Sequence, residues 1–207
     1  MNLAIFGGTF DPIHNGHLEV ARAARRECFL DHILFIPAGH PPHKSSRAGA
    51  AYEHRLEMVH LACAEHPAFE ASRLEAPGPD LDRNFTIQTI RRVAAFLTNH
   101  DRLFFLIGAD AFAEITTWYR WRQVTNQVEF IVVSRPGSQV DESVILPGGQ
   151  IHWLRGVHSP VSSTEVRRRL QAGESIRGML PLAVARYVTR HQLYRREKPA
   201  RRRKQRP

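Results

Sequence analysis

LAIFGGTFDPIHNGHLEVARAAR at 3–25 reads as an apolar strand, a glycine-bearing turn and an amphipathic helix in immediate succession. LAIF at 3–6 is a continuous apolar run, and Leu18, Ala21, Ala24 and Cys28 then recur at helical spacing. HILFIP at 32–37 returns to an apolar run. The unit spelled is strand, helix, strand.

The same alternation continues along the chain. Leu56, Val59 and Cys63 mark a helix, 69–74 a strand, and Ile87, Ile90, Val93 and Leu97 another helix. LFFLIG at 103–108 and FIVVS at 130–134 lack any polar alternation, which marks parallel strands buried on both faces. Ser162 and Glu165 stand in a capping-box relation before a helix carrying Val166 and Leu170, which Gly173 ends. Pro181 opens a last helix through Leu182, Ala185 and Val188. The fold class expected is α/β, a doubly wound Rossmann-like parallel sheet with a small C-terminal helical part.

A chain of 207 residues, 43% of them hydrophobic, buries a real core and suits one domain with a small appended piece. Cys28 and Cys63 belong to no CxxC or Cys/His ligand spacing, so a disulfide scaffold is excluded and a reducing cytoplasm is expected. The chain begins directly on a strand pattern and no apolar run reaches membrane length, so neither export nor membrane insertion is expected.

The net charge of +9 is concentrated at the end of the chain. Residues 195–207 hold eight Lys or Arg and one Glu, which leaves a net of +2 for 1–194. Such a tail has no apolar anchor to offset the entropy of folding and is expected to be disordered. Its plainer reading is a solvated extension; the other is weak contact with a polyanion such as nucleic acid, steeply dependent on salt. The domain is therefore placed at 1–194, with a separate basic tail at 195–207. Self-association is left open.

Ligands of doubly wound sheets sit beyond the carboxyl ends of the strands, so residues following Phe6, Ile36, Ile107 and Val133 should line one crevice. Unusual chemistry collects at those four places. After the first strand, Gly7 and Gly8 permit close approach of backbone to a phosphate, and Thr9, Phe10 and the following amides offer donors. His14 and His17 flank Gly16 at the helix start, where both rings can face one anion and donate to phosphoryl oxygens. A bare pair of histidines is more often structural. These two are fixed to a strand end, a glycine pair and a helix start, which favours the phosphate reading.

With GGTFDPIHNGHL at 7–18 in place, the chain resembles the HxGH nucleotidyltransferase superfamily, whose members transfer a nucleotidyl group without a covalent enzyme intermediate. SSTEVRRRL at 162–170 looks like the second element of that superfamily, which binds the ATP phosphates. There Ser162, Ser163 and Thr164 supply hydroxyls and helix amides, and Arg167 adds a guanidinium fork. The resemblance thus makes 160–194 a phosphate-binding C-terminal element of a nucleotidyltransferase domain.

Three further segments resemble the nicotinate mononucleotide branch. PPHK at 41–44 places Lys44, and His43 beside it, toward the triphosphate; LIGADAFAEITTWYRW at 106–121 carries Gly108, Asp110 and the Trp118–Tyr119 pair; and FTIQTI at 85–90 carries Thr86. In the last of these Gln88 stands where an Asp is usual, and altered local bonding with retained activity is expected.

The resemblance implies ATP and nicotinate mononucleotide as substrates, with His14, His17, Lys44 and Arg167 as catalytic residues. Gly7, Gly8, Thr9, Phe10, Gly108, Asp110, Arg135, Ser162, Ser163 and Thr164 join them on ATP, and Lys44, Thr86, Asp110, Trp118 and Tyr119 hold the mononucleotide. Trp118 offers a flat face to a pyridinium, with core packing as its alternative role. Asp110 has helix N-capping as its alternative. Amides near Thr86 and Tyr119 would hold the nicotinate carboxylate and disfavour the amide. No carboxylate cluster resembles a dedicated metal site, so Mg2+ is expected to arrive with the ATP phosphates. Other members of the superfamily, a pantetheine-phosphate adenylyltransferase or a cytidylyltransferase, are the nearest alternatives. The matching segments, which run from 7 to about 193, weigh against them.

Overall fold

The computed structural model describes residues 1–39, 49–78, 85–134, 149–157 and 159–195. Six strands form one sheet: β1 (Asn2–Gly8), β2 (His32–Pro37), β3 (Phe69–Ala71), β4 (Arg102–Gly108), β5 (Glu129–Val133) and β6 (Ile151–Leu154). Their order is β3-β2-β1-β4-β5-β6, and every adjacent pair is parallel. The chain reverses its direction of travel across the sheet between β1 and β4, so the crevice expected of such sheets opens at the ends of these two strands. The register keeps those ends level: Phe6 lies between Phe35 and Leu106, and Gly8 lies opposite Pro37.

Helices cover both faces: α1 (Asn15–Glu27), α2 (Tyr52–Cys63), α3 (Thr86–Ala94), α4 (Ala109–Ala113), α5 (Trp121–Thr125), α6 (Ser163–Ala172) and α7 (Leu182–Arg190), with a 3-10 turn at Ile115–Thr117. Successive strand residues point to opposite faces, and in β1 this divides the core in two. Ala4 and Phe6 join Leu18, Leu56, Val166 and Val188 from α1, α2, α6 and α7. Leu3 and Ile5 join Ile87, Phe112 and Val124 from α3, α4 and α5. Phe35, Phe104 and Phe130 are nearly or wholly buried, each worth about 1.5–3 kcal/mol relative to exposure.

Helix boundaries follow the local chemistry. α1 buries Leu18, Ala21 and Ala24 and turns Arg22, Arg25 and Arg26 to solvent. α6 begins at Ser162, whose Oγ accepts from the Glu165 amide at 3.2 Å, and ends at Gly173 with φ 71°. The Glu165 carboxylate pairs with Arg168 and Arg169 rather than reaching back to the cap, so only half of the expected box forms. α4 starts at Ala109 with Gly108 as its N-cap, so Asp110 lies in the first turn and does not cap the helix. α3 ends at Ala94, short of Leu97, and β3 is only three residues long. The strand β6 was not anticipated. It pairs on one side only and carries His152 in its middle, so it lacks the continuous apolar run of the inner strands.

Among the described residues no helix is long and apolar enough to cross a membrane. Both cysteines are free thiols, and burial pushes the Cys63 thiol up to about 12.

Candidate active site

The turn after β1 packs its side chains inward and leaves its backbone at the crevice. The Phe10 ring is buried, edge-on to Phe6 at 5.6 Å and to His17 at 5.0 Å, with φ 48°. Its place near ATP is therefore a matter of backbone, not of the ring. A Cβ on Gly8 would lie 3.1 Å from that ring and press on it, while a Cβ on Gly7 would meet nothing closer than 3.8 Å. The Thr9 carbonyl accepts from the Arg55 guanidinium at 2.7 Å, and Asp11–Pro12 is a cis peptide.

At the start of α1, His14 is buried and its ring stacks on that of His17, with centroids 3.7 Å apart and planes 26° from parallel. The His14 amide donates to His17 Nδ1 at 3.2 Å. In the neutral ring the proton then resides on Nε2. Gly16 has no room for a side chain: an added Cβ would lie 2.8 Å from Ser159 Oγ and 3.1 Å from His14 Cε1.

The second phosphate-binding segment meets the first directly. Ser163 Oγ donates to the Pro12 carbonyl at 2.9 Å, and Arg167 Nη1 donates to the Asp11 carbonyl at 2.6 Å. Arg167 Nη2 also lies 3.4 Å from Thr164 Oγ1. The free amides at the start of α6 therefore open beside the turn that carries the histidines.

On the other side of β1, α3 begins at Thr86. Gln88 Oε1 accepts from the Phe85 amide at 3.3 Å, which is the reach-back an N3 glutamine makes to a cap. The altered residue thus keeps the helix start satisfied. The Tyr119 ring lies against Phe85 at 4.5 Å, and the Arg120 guanidinium sits 5.1 Å from the Tyr119 centroid, so the Thr86 and Tyr119 segments adjoin. Trp118 is half-buried, edge-on to Phe105 at 6.0 Å, and serves the core with part of its indole. Below α3, Thr89 Oγ1 donates to Glu75 Oε1 at 2.7 Å; burial pushes the Glu75 carboxyl up, against the opposing pull of that bond and of Arg92. Gly108 and Asp110 are exposed at the end of β4, at the switch point. Lys44, His43 and Arg135 lie outside the described residues, as does all of the basic tail beyond Arg195.

Three residues at the site went unmarked in the sequence reading. Asp11 is 4% exposed; its carboxylate accepts from the Gly49 amide at 2.7 Å, the Ala50 amide at 3.0 Å and the Tyr194 hydroxyl at 2.7 Å. Arg167 Nη1 is 3.7 Å from the same carboxylate. Arg55 is 2% exposed and donates from Nε to the Ala50 carbonyl at 3.2 Å; burial lowers its pKa, with Asp11 opposing. Arg55 recurs with Tyr52, Leu56 and Val59 on the apolar stripe of α2, a position that carries a signal for burial. Among the described residues no group of three or more His, Cys, Asp or Glu could hold a metal ion.

Residues 5–169 match the cytidylyltransferase-like family. A probable nicotinate-nucleotide adenylyltransferase of Solibacter usitatus is 50% identical over 194 residues, covering 94% of this chain and 100% of the relative. Another, of Thermus thermophilus, is 42% identical over 197 residues, covering 94% and 100%. Among solved structures, a Plasmodium falciparum nicotinic acid mononucleotide adenylyltransferase complexed with NaAD superposes with a TM-score of 0.75 at 19% identity, covering 93% of this chain and 97% of that one, a likeness of fold. The chain belongs to the cytidylyltransferase-like family and, within it, to the nicotinate-nucleotide adenylyltransferases.

Proposed function

We propose that the crevice at the ends of β1 and β4 carries out the reaction of this family, transfer of the adenylyl group of ATP to nicotinate mononucleotide in NAD biosynthesis. The observation that carries the reading is the direct contact of the two phosphate-binding segments, Ser163 on Pro12 and Arg167 on Asp11. One triphosphate laid across that contact reaches both the histidine pair and the amides of α6.

The 5′-phosphate oxygen of the mononucleotide forms a bond to the α-phosphorus of ATP, and the bond from that phosphorus to the β-phosphate bridging oxygen breaks. Pyrophosphate leaves with the electron pair. The attacking phosphate is already an anion at neutral pH, so no general base is needed. The protein contributes alignment and charge stabilisation.

His17 Nε2–H and His14 donate to the phosphoryl oxygens, joined by the backbone around Gly7, Gly8 and Thr9. Arg167 and the amides at Ser163 and Thr164 hold the triphosphate, with Lys44 as a further cation. Mg2+ enters as part of the Mg–ATP substrate and neutralises triphosphate charge. Gly108 lies along the ATP, Asp110 meets ribose hydroxyls or a phosphate-bound water, and Arg135 serves the adenine or phosphate side. Thr86 and Tyr119 amides bind the nicotinate carboxylate, with the exposed part of Trp118 against the ring. The free thiols Cys28 and Cys63 support a reducing cytoplasm as the compartment.

The test is ATP-dependent pyrophosphate release with nicotinate and nicotinamide mononucleotides side by side. Faster turnover with the acid is expected. Release with neither substrate would overturn the reading.

A further inference from the structure

We propose that Tyr194 is a positioning residue for the ATP site: its hydroxyl, through Asp11, fixes Arg167 and the backbone of the turn that presents the histidines. This rests on the reading of the site given above.

Tyr194 is only 8% exposed although it follows α7 in a surface turn, and its φ of 63° lies in the left-handed region that non-glycine residues seldom occupy. Such a conformation is strained for a residue with a side chain and persists where surrounding contacts impose it. The contact here is specific. The Tyr194 hydroxyl donates to Asp11 Oδ1 at 2.7 Å, 183 positions back in the chain. The same carboxylate oxygen takes the Ala50 amide, and Oδ2 takes the Gly49 amide. A Cβ on Gly49 would lie 3.1 Å from the Tyr194 ring and 3.3 Å from Arg167 Cδ, so Tyr194, Gly49 and Arg167 form one packed layer over Asp11.

Asp11 sits at the centre of that layer, with Arg167 bonded to its carbonyl and near its carboxylate. Losing the Tyr194 hydroxyl leaves Oδ1 of a buried carboxylate short of one donor, and Arg167, whose Nη1 is 3.7 Å from Oδ2, is the adjacent cation that would be drawn toward the carboxylate and away from a phosphate. A hydrogen bond to a buried charge is worth more than a neutral one. The cost should therefore appear in nucleotide affinity and not only in stability. Burial, then the Asp11 charge and its hydrogen bond, hold the Tyr194 phenol well above its ordinary pKa, so it stays a donor throughout the neutral range.

The test compares Tyr194→Phe, which keeps the ring, with Asp11→Asn and with Asp11→Asn/Tyr194→Phe in the full chain. The readouts are kcat, both KM values, the thermal midpoint, and equilibrium binding of a non-hydrolysable ATP analogue. Tyr194→Phe should weaken analogue binding and raise the KM for ATP roughly five- to tenfold, with the KM for nicotinate mononucleotide within about twofold of wild type. The effects of Asp11→Asn and Tyr194→Phe should be strongly non-additive. Unchanged analogue binding in Tyr194→Phe, or equal rises in both KM values tracking a lower thermal midpoint, would overturn the proposal. Analogue binding is measured without turnover, so it tests the positioning even if the wild-type chain releases no pyrophosphate; that failure would instead strike the reading of the reaction.

Discussion

Ser163 Oγ donates to the carbonyl of Pro12 at 2.9 Å across 151 positions of chain, joining the start of α6 to the turn that leads into α1. Two helix N-termini, one capped by His14 and one by Ser162, are thereby placed side by side. At α1 the Asn15 amide is taken by the Met179 carbonyl at 2.9 Å, so the first-turn amides of α6 are the more open, and the positive ends of both helix dipoles add at the position between them.

His17 accepts the His14 amide on Nδ1, which puts the proton of its neutral ring on Nε2, the atom proposed to donate to the phosphoryl oxygens. His17→Ala should lower kcat by about 10²–10³-fold, the usual cost of one donor to developing charge. Stability should change little. Near-normal turnover would remove His17 from the chemistry.

Gly16→Ala should destabilise the protein although the substitution lies in a helix. In an ordinary helix interior alanine is favoured over glycine by about 1 kcal/mol. Here the new methyl would meet Ser159 Oγ at 2.8 Å and Ser159 Cβ at 3.0 Å, with His14 Cε1 at 3.1 Å. Overpacking of this kind costs about 1–3 kcal/mol and outweighs the gain. Urea unfolding would show the lower midpoint, and kcat should fall with it as His14 is displaced; a higher midpoint would contradict the packing.

Trp118 is shared between core and crevice, so Trp118→Phe is the informative change. A phenyl ring keeps the contact with Phe105 and loses the larger indole face. The KM for nicotinate mononucleotide should rise severalfold, on the order of the 0.5–1 kcal/mol of an exposed cation–π contact, with the KM for ATP unchanged. Steady-state kinetics with each substrate varied in turn would decide it, and an unchanged KM for the mononucleotide would return Trp118 wholly to the core.

Acid stability should depend on Glu129 at the end of the sheet. Burial raises its pKa, but the bonds from Arg102 at 2.6 Å and His152 at 2.8 Å outweigh burial and hold the carboxyl below its ordinary value near 4.5. A group with a depressed folded pKa contributes stability that is present above the unfolded value and is lost as pH falls through the folded one. Unfolding midpoints measured below about pH 5 should therefore fall less steeply in Glu129→Gln than in wild type. Parallel profiles would show that the pair contributes nothing.

Much of the frame was legible because β1, β2, β4 and β5 are buried on both faces and read as unbroken apolar runs. Edge strands carry a weaker signal: β6 has one neighbour, and His152 interrupts it. The histidines and the Ser163–Arg167 segment could be read because each is tied to a local start of helix. Asp11 and Tyr194 could not, since their burial depends on closure of segments far apart in sequence. Within its own segment Asp11 looks like a turn residue and Tyr194 like the last ring of a helix. Only Arg55 betrays itself, as a charge on an apolar stripe.

One triphosphate is expected to touch both the His14–His17 pair and the start of α6. A structure of the chain with a non-hydrolysable ATP analogue tests it most directly. Phosphate oxygens are expected within hydrogen-bond distance of His17 Nε2 and of amides near Ser163 and Thr164 in the same complex. An analogue bound away from either segment would contradict it.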